Sequence, residues 1–164
     1  MDSQTFHDAV SEFEGTWKGK GRVVHCDDGS ILAEYLEEFT CQLVRKAPAM
    51  VVYQIFQNTK HTEQLKPMHT ESGFIKLMLT DSSKISVEAG FSHPFPKGLL
   101  TELAKGTFDN GVLKLSSADF CRAHESEKPV TQYAREYTLV ANDSLHYVQY
   151  LHDKPHLRCE MKRV

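Results

Sequence analysis

Lys154-Pro155-His156-Leu157-Arg158-Cys159-Glu160-Met161-Lys162-Arg163-Val164 stands at the C-terminus of the 164-residue sequence. Leu157, Cys159 and Met161 alternate there with Arg158, Glu160 and Lys162, which is the period of a half-buried strand. A strand in this position has to pair with an earlier one, so the terminus is expected to be tied into a sheet. Strict alternation groups His156 with the outward-facing charges. An inward role for His156 requires the register to break at Pro155. Proline supplies no ladder N–H and restricts the residue before it, so a break there is physically reasonable.

Working outward, the clearest strand is Gly15-Thr16-Trp17-Lys18-Gly19-Lys20-Gly21-Arg22-Val23-Val24. Lys18, Lys20 and Arg22 share one face; Trp17, Gly19, Gly21 and Val23 share the other. Glycines beside a tryptophan on an inner face leave room for a bend or a close neighbour. Further strands are expected at 33–43, 50–57, 74–79, 85–91, 99–108, 112–120, 130–140 and 145–151. Asp27-Asp28-Gly29-Ser30 reads as a turn, Asp109-Asn110-Gly111 as a strong hairpin turn and Asn142-Asp143 as a weaker one. Gly73 is expected to mark a bulge or bend between extended pieces. Phe6, Ala9, Val10 and Phe13 recur at helical spacing, so residues 3–13 are expected to form a short helix, capped by Ser3, that plugs one end. Short strands with turn signals at regular intervals favour an all-β antiparallel barrel over a sandwich or an α/β fold.

The length suits one domain, 1–164, with a real core. A net charge of −3 without a basic block gives no reason to expect nucleic acid as a partner. No apolar run is long enough to span a membrane, and Met1 to Glu14 lacks the apolar region of a secretory signal. Cys26, Cys41, Cys121 and Cys159 are scattered without a Cys-x-x-Cys pair, so they read as free thiols in a reducing cytoplasm. The nine histidines make metal or haem chemistry worth asking about.

Several residues have two readings. Trp17 with its glycines is a barrel-core tryptophan or part of a family fingerprint; no helix start follows to make it a phosphate loop. His156 is a surface histidine at a strand end or a ligand. His152 and His156 have the spacing of a helical zinc pair, but Pro155 between them argues against a helix. His25-Cys26 is a weak metal pair. Met68-His69 lines a rim or is simply solvated. No nucleophile elbow or triad order is visible.

Taken in order, Gly15-Thr16-Trp17-Lys18-Gly19-Lys20-Gly21, Tyr35-x-Glu37-Glu38, Pro67-Met68-His69-x-Glu71-x-Gly73-Phe74, His93-Pro94 with Gly98, and Pro155-His156-Leu157-Arg158 resemble the nitrobindin family. The resemblance covers nearly the whole chain. It implies an up-and-down barrel of about ten strands, similar to lipocalins and fatty-acid-binding proteins. It implies haem b at the open end, with His156 as the iron ligand and Met68, His69 and Leu151 bordering the cofactor. The implied activity is isomerisation of peroxynitrite to nitrate, with nitric oxide binding at a ferric haem. Haem, peroxynitrite and nitric oxide are then the expected partners, and a homodimer stays open. The sequence departs from the family pattern at Ala33, at Leu151, and in the short loop His152-Asp153-Lys154. That loop favours the second reading, a non-catalytic carrier of a small apolar ligand such as a fatty acid.

Overall fold

The computed structural model describes residues 1–80, 84–95, 98–122, 132–141 and 143–164. One helix, α1 (Ser3–Ser11), precedes ten strands: β1 (Gly15–Val24), β2 (Ile31–Ala47), β3 (Met50–His61), β4 (Pro67–Leu79), β5 (Ile85–Phe95), β6 (Gly98–Asp109), β7 (Val112–Arg122), β8 (Tyr133–Ala141), β9 (Ser144–Leu151) and β10 (Lys154–Arg163). Each strand pairs antiparallel with the next, and β10 pairs with β1 to close the barrel. The C-terminal alternation is thus matched to the tryptophan strand, with Trp17 opposite Arg163 and Gly21 opposite Cys159. Closure removes the open edges that a ten-strand sheet would otherwise expose.

The expected strands are all present, most of them longer than anticipated. Residues 130 and 131 of the expected 130–140 strand, and Asn142 of the weaker turn, lie outside the described residues. At Asp109-Asn110-Gly111 both Asn110 (φ 48°) and Gly111 (φ 75°) are left-handed, the signature of a two-residue hairpin turn. Two readings are corrected. Gly73 makes no bulge; β4 runs straight through it, and a Cβ there would lie 1.9 Å from the carbonyl oxygen of Gly90 on β5. Close backbone approach, not a kink, is what excludes a side chain. The helix is capped by Asp2, whose carboxylate accepts from the Thr5 N–H at 2.8 Å, and not by Ser3.

The helix packs Phe6 and Val10, followed by Phe13, into the core at one end of the barrel. Phe13 meets the Phe108 ring edge-on at 5.6 Å, and the Tyr53 hydroxyl donates to the Val10 carbonyl at 3.0 Å. Arg163 from β10 lies over the Trp17 ring at 4.2 Å and donates to the Glu12 carbonyl, so the last strand latches the helix. Trp17 is 0% exposed and gives its indole N–H to Phe13 at 3.2 Å. Replacing Trp17 by Ala should therefore destabilise the fold by roughly 3–5 kcal/mol. A urea melt showing a loss below about 1 kcal/mol would mean that the indole does not anchor this end.

Candidate functional site

The end of the barrel opposite the helix opens into a cavity of about 340 Å³. Its walls are largely apolar, from Val23, Leu100, Phe120, Leu151 and Leu157. Met68, His69 and His156 line the same cavity. The four residues singled out from the sequence, Met68, His69, Leu151 and His156, are therefore brought together although they come from β4, β9 and β10.

The local reason His156 reaches the cavity is a β-bulge. Pro155 pairs with Tyr150 and Leu157 pairs with Gln149, leaving His156 as the extra residue on β10. The bulge breaks the alternation that would have sent His156 outward with Arg158. Just before it, His152 (φ 49°) and Asp153 (φ 62°) form a tight two-residue hairpin, and Lys154 already pairs with Leu151. The short loop is thus a compact reversal. Lys154 Nζ ties it to Asp27 on the neighbouring loop at 2.8 Å.

His156 Nδ1 lies 3.2 Å from the Val24 carbonyl oxygen. A carbonyl only accepts, so in the neutral ring Nδ1 carries the proton and Nε2 the lone pair. Cys26 Sγ makes a longer contact with the same nitrogen, 3.8 Å. An imidazole oriented by a backbone carbonyl, at the wall of an apolar cavity, is one kind of donor that can hold a haem iron.

The inner wall carries a buried ionic cluster that the sequence reading did not assemble. Arg135 on β8 is 0% exposed; it donates Nη1 to Glu71 Oε1, and Nη2 to Glu102 Oε2 at 2.6 Å. Its guanidinium also lies over the Phe91 ring at 4.0 Å. Ser117 donates to the other Glu102 oxygen at 2.9 Å. Glu71 Oε2 faces His93 Nδ1 at 3.0 Å and His69 Nε2 at 3.3 Å. Burial opposes the charge on Glu71, but Arg135 and the two histidines outweigh it and hold its carboxyl well below the usual range. Burial also opposes a charge on His93, yet hydrogen bonds to Glu102 and Glu71 leave its ring more basic than usual. A signal for Arg135 was present in Tyr133-Ala134-Arg135-Glu136-Tyr137. Period two places the arginine on the same face as two tyrosines, where a cation has to find carboxylates.

Glu37 is buried beside this cluster, bonded by Gln57 Nε2. Burial, and more weakly the charge of Glu71, push its carboxyl up to about 7, against the pull of the neighbouring Cys159, Tyr35 and Gln57 side chains. A raised carboxyl pKa means that the folded state resists ionisation. The cost is absent below the ordinary value of 4.5 and complete above about 7. Glu37→Gln should therefore be more stable than the natural protein above neutral pH, by on the order of 3 kcal/mol, and should lose that advantage as pH falls toward 4.5. Melting curves across this range would check it; a difference independent of pH would show that Glu37 does not titrate there.

Residues 7–163 match the family described as THAP4-like, heme-binding beta-barrel domain. A curated relative, peroxynitrite isomerase 1 from Rhodococcus jostii (strain RHA1), is 26% identical over 148 residues, covering 88% of this chain and 74% of that protein. Among solved structures, the crystal structure of Rv2717c from M. tuberculosis superposes with a TM-score of 0.67 at 26% identity, covering 96% of each chain.

Proposed function

Because this chain belongs to the nitrobindin family of THAP4-like, haem-binding β-barrel domains, we propose that it holds haem b through His156 and converts peroxynitrite to nitrate at the ferric iron. The observation that carries the reading is the bulge that turns His156 into the cavity, together with the Nδ1 bond to Val24 that leaves Nε2 as the donor. Haem, when bound, would supply the iron chemistry for rearranging peroxynitrite and a place for nitric oxide to bind.

The chain's own residues do the rest. Val24 fixes the ring orientation of His156. Val23, Leu100, Leu151 and Leu157 offer apolar contact to a macrocycle and limit water beside it. Met68 and His69 border the open side, where an oxyanion would approach. His69 is 29% exposed there, and Glu71 holds its Nε2 edge. That contact sets the ring's orientation toward the cavity.

Titration with hemin tests the reading. One equivalent should shift and sharpen the Soret band, and the loaded protein should speed peroxynitrite decay with nitrate as the product. His69→Ala should leave hemin binding largely in place and change the peroxynitrite reaction. Absence of a Soret shift would overturn the haem reading and favour the carrier of a small apolar ligand.

A further inference from the structure

The ionic cluster on the inner wall contains an arrangement of which the haem reading uses only His69. His69 Nε2, His93 Nδ1 and Glu71 Oε2 form a nearly equilateral triangle, with sides of 3.3, 3.0 and 3.4 Å. Ligand atoms bound at zinc-like distances with tetrahedral angles stand about 3.3–3.5 Å apart; at octahedral angles they stand about 3.0 Å apart. The observed sides fall between these two values. All three atoms come from one wall: His69 and Glu71 are two apart on β4 and share a face, and His93 follows on neighbouring β5.

The surroundings of the triangle are arranged as metal sites require. Arg135 engages Glu71 through Oε1, which fixes the carboxylate and leaves Oε2 pointing at the two imidazoles. His93 turns its far nitrogen toward Glu102 Oε2 at 3.6 Å, with Arg135 Nη2 at 3.3 Å. Coordination through Nδ1 would place the proton on that far nitrogen; Glu102 Oε2 would have to close in from 3.6 Å to accept it, and Arg135 Nη2 would have to give way. Glu102 is itself anchored by Ser117 and Arg135. The charge count points the same way. Among the described residues Glu71 and Glu102 share one guanidinium, so a cation held in the triangle would add to its compensation of the two carboxylates. Both His69 and His93 line the cavity, so the open side of the triangle faces it.

We propose that His69, His93 and Glu71 bind a divalent transition-metal ion of the zinc or iron(II) class, at a second site on the wall of the cavity lined by His156. Two imidazoles and one carboxylate are the donor set of ions that keep a coordination position open. The site is separate from His156 and needs no haem. The competing occupant is a proton on one imidazole, which would offset the same charge.

Cobalt(II) titration of the haem-free full chain distinguishes them. One equivalent should bind saturably and give visible d–d bands of four- or five-coordinate intensity, without a thiolate charge-transfer band. His69→Ala removes a ligand from a partly exposed position and should weaken binding by more than the roughly 10–100-fold that loss of an outer-shell partner costs. His156→Ala and Cys26→Ser should leave the bands unchanged. Zinc should compete the cobalt off in equal stoichiometry. Failure of wild type to bind one equivalent would overturn the site in favour of the proton. So would cobalt bands that survive His69→Ala or disappear with His156→Ala. Because the readout is cobalt absorption without haem, failure here is distinct from failure to bind hemin.

Discussion

Arg135→Met is expected to cost about 5 kcal/mol or more, the upper end of what breaking one buried ion pair costs, because it strands two carboxylates at once. Glu71 and Glu102 both depend on the same guanidinium, and both are almost wholly buried. Methionine fills much of the space and keeps contact with Phe91, so the loss isolates charge from packing. The cost should depend on pH in a defined direction. In the natural protein Glu71 lies below its ordinary value. Its contribution to stability is therefore full above the unfolded value of 4.5 and is lost as pH falls through the depressed folded value. In the variant, burial without a cation raises both carboxyls, and acid relieves the penalty. The difference between the two proteins should therefore narrow as pH falls. Adding Glu71→Gln and Glu102→Gln to Arg135→Met should recover much of the loss, since neither stranded carboxylate then remains. Urea melts at neutral and acidic pH measure this. A neutral-pH loss below about 1 kcal/mol would show that water reaches the cluster and screens it.

The barrel was legible because its signal is local and repetitive. Alternation in Leu157, Cys159 and Met161, and in Trp17, Gly19 and Gly21, reports directly which face each residue occupies. Asn110-Gly111 declared its turn because few other residues adopt the left-handed backbone that it needs. The helix came from four apolar residues at helical spacing; its cap was misplaced by one residue because Asp2 and Ser3 are both good N-caps. Gly73 was misread because a missing side chain signals a kink and a close neighbour equally well, and the neighbour, Gly90, is far along the chain.

The site was only partly legible. Family resemblance drew attention to Met68, His69, Leu151 and His156, and the fold gathers them at one cavity. What positions them leaves little trace in the sequence. The partner of His156 is a backbone carbonyl, which no residue type marks. The cluster of Glu71, His93, Glu102 and Arg135 draws one residue from each of four strands, so no spacing reveals it. Glu71 and His93 stood inside quoted motifs without a role. Their meaning depends on Arg135, some sixty and forty residues away.

His156→Ala should abolish the hemin-induced Soret shift and weaken hemin binding by more than the roughly 100-fold that loss of a ligand's outer-shell partner costs. The fold should survive. His156 is an extra residue in a bulge at the cavity, with no cross-strand partner to lose, while Leu157 and the pairs beyond it keep their register with β9 and β1. The far-ultraviolet sheet spectrum and the urea midpoint should stay close to those of the natural protein. Free imidazole should restore part of the Soret shift, because the replacement leaves a space of imidazole size at the wall. Rescue separates loss of a donor from collapse of the pocket, which added imidazole would not repair. Unchanged hemin binding by His156→Ala would mean that another histidine holds the iron. His69 would then be the first to examine, since it lines the same cavity and is the more exposed of the two histidines facing Glu71.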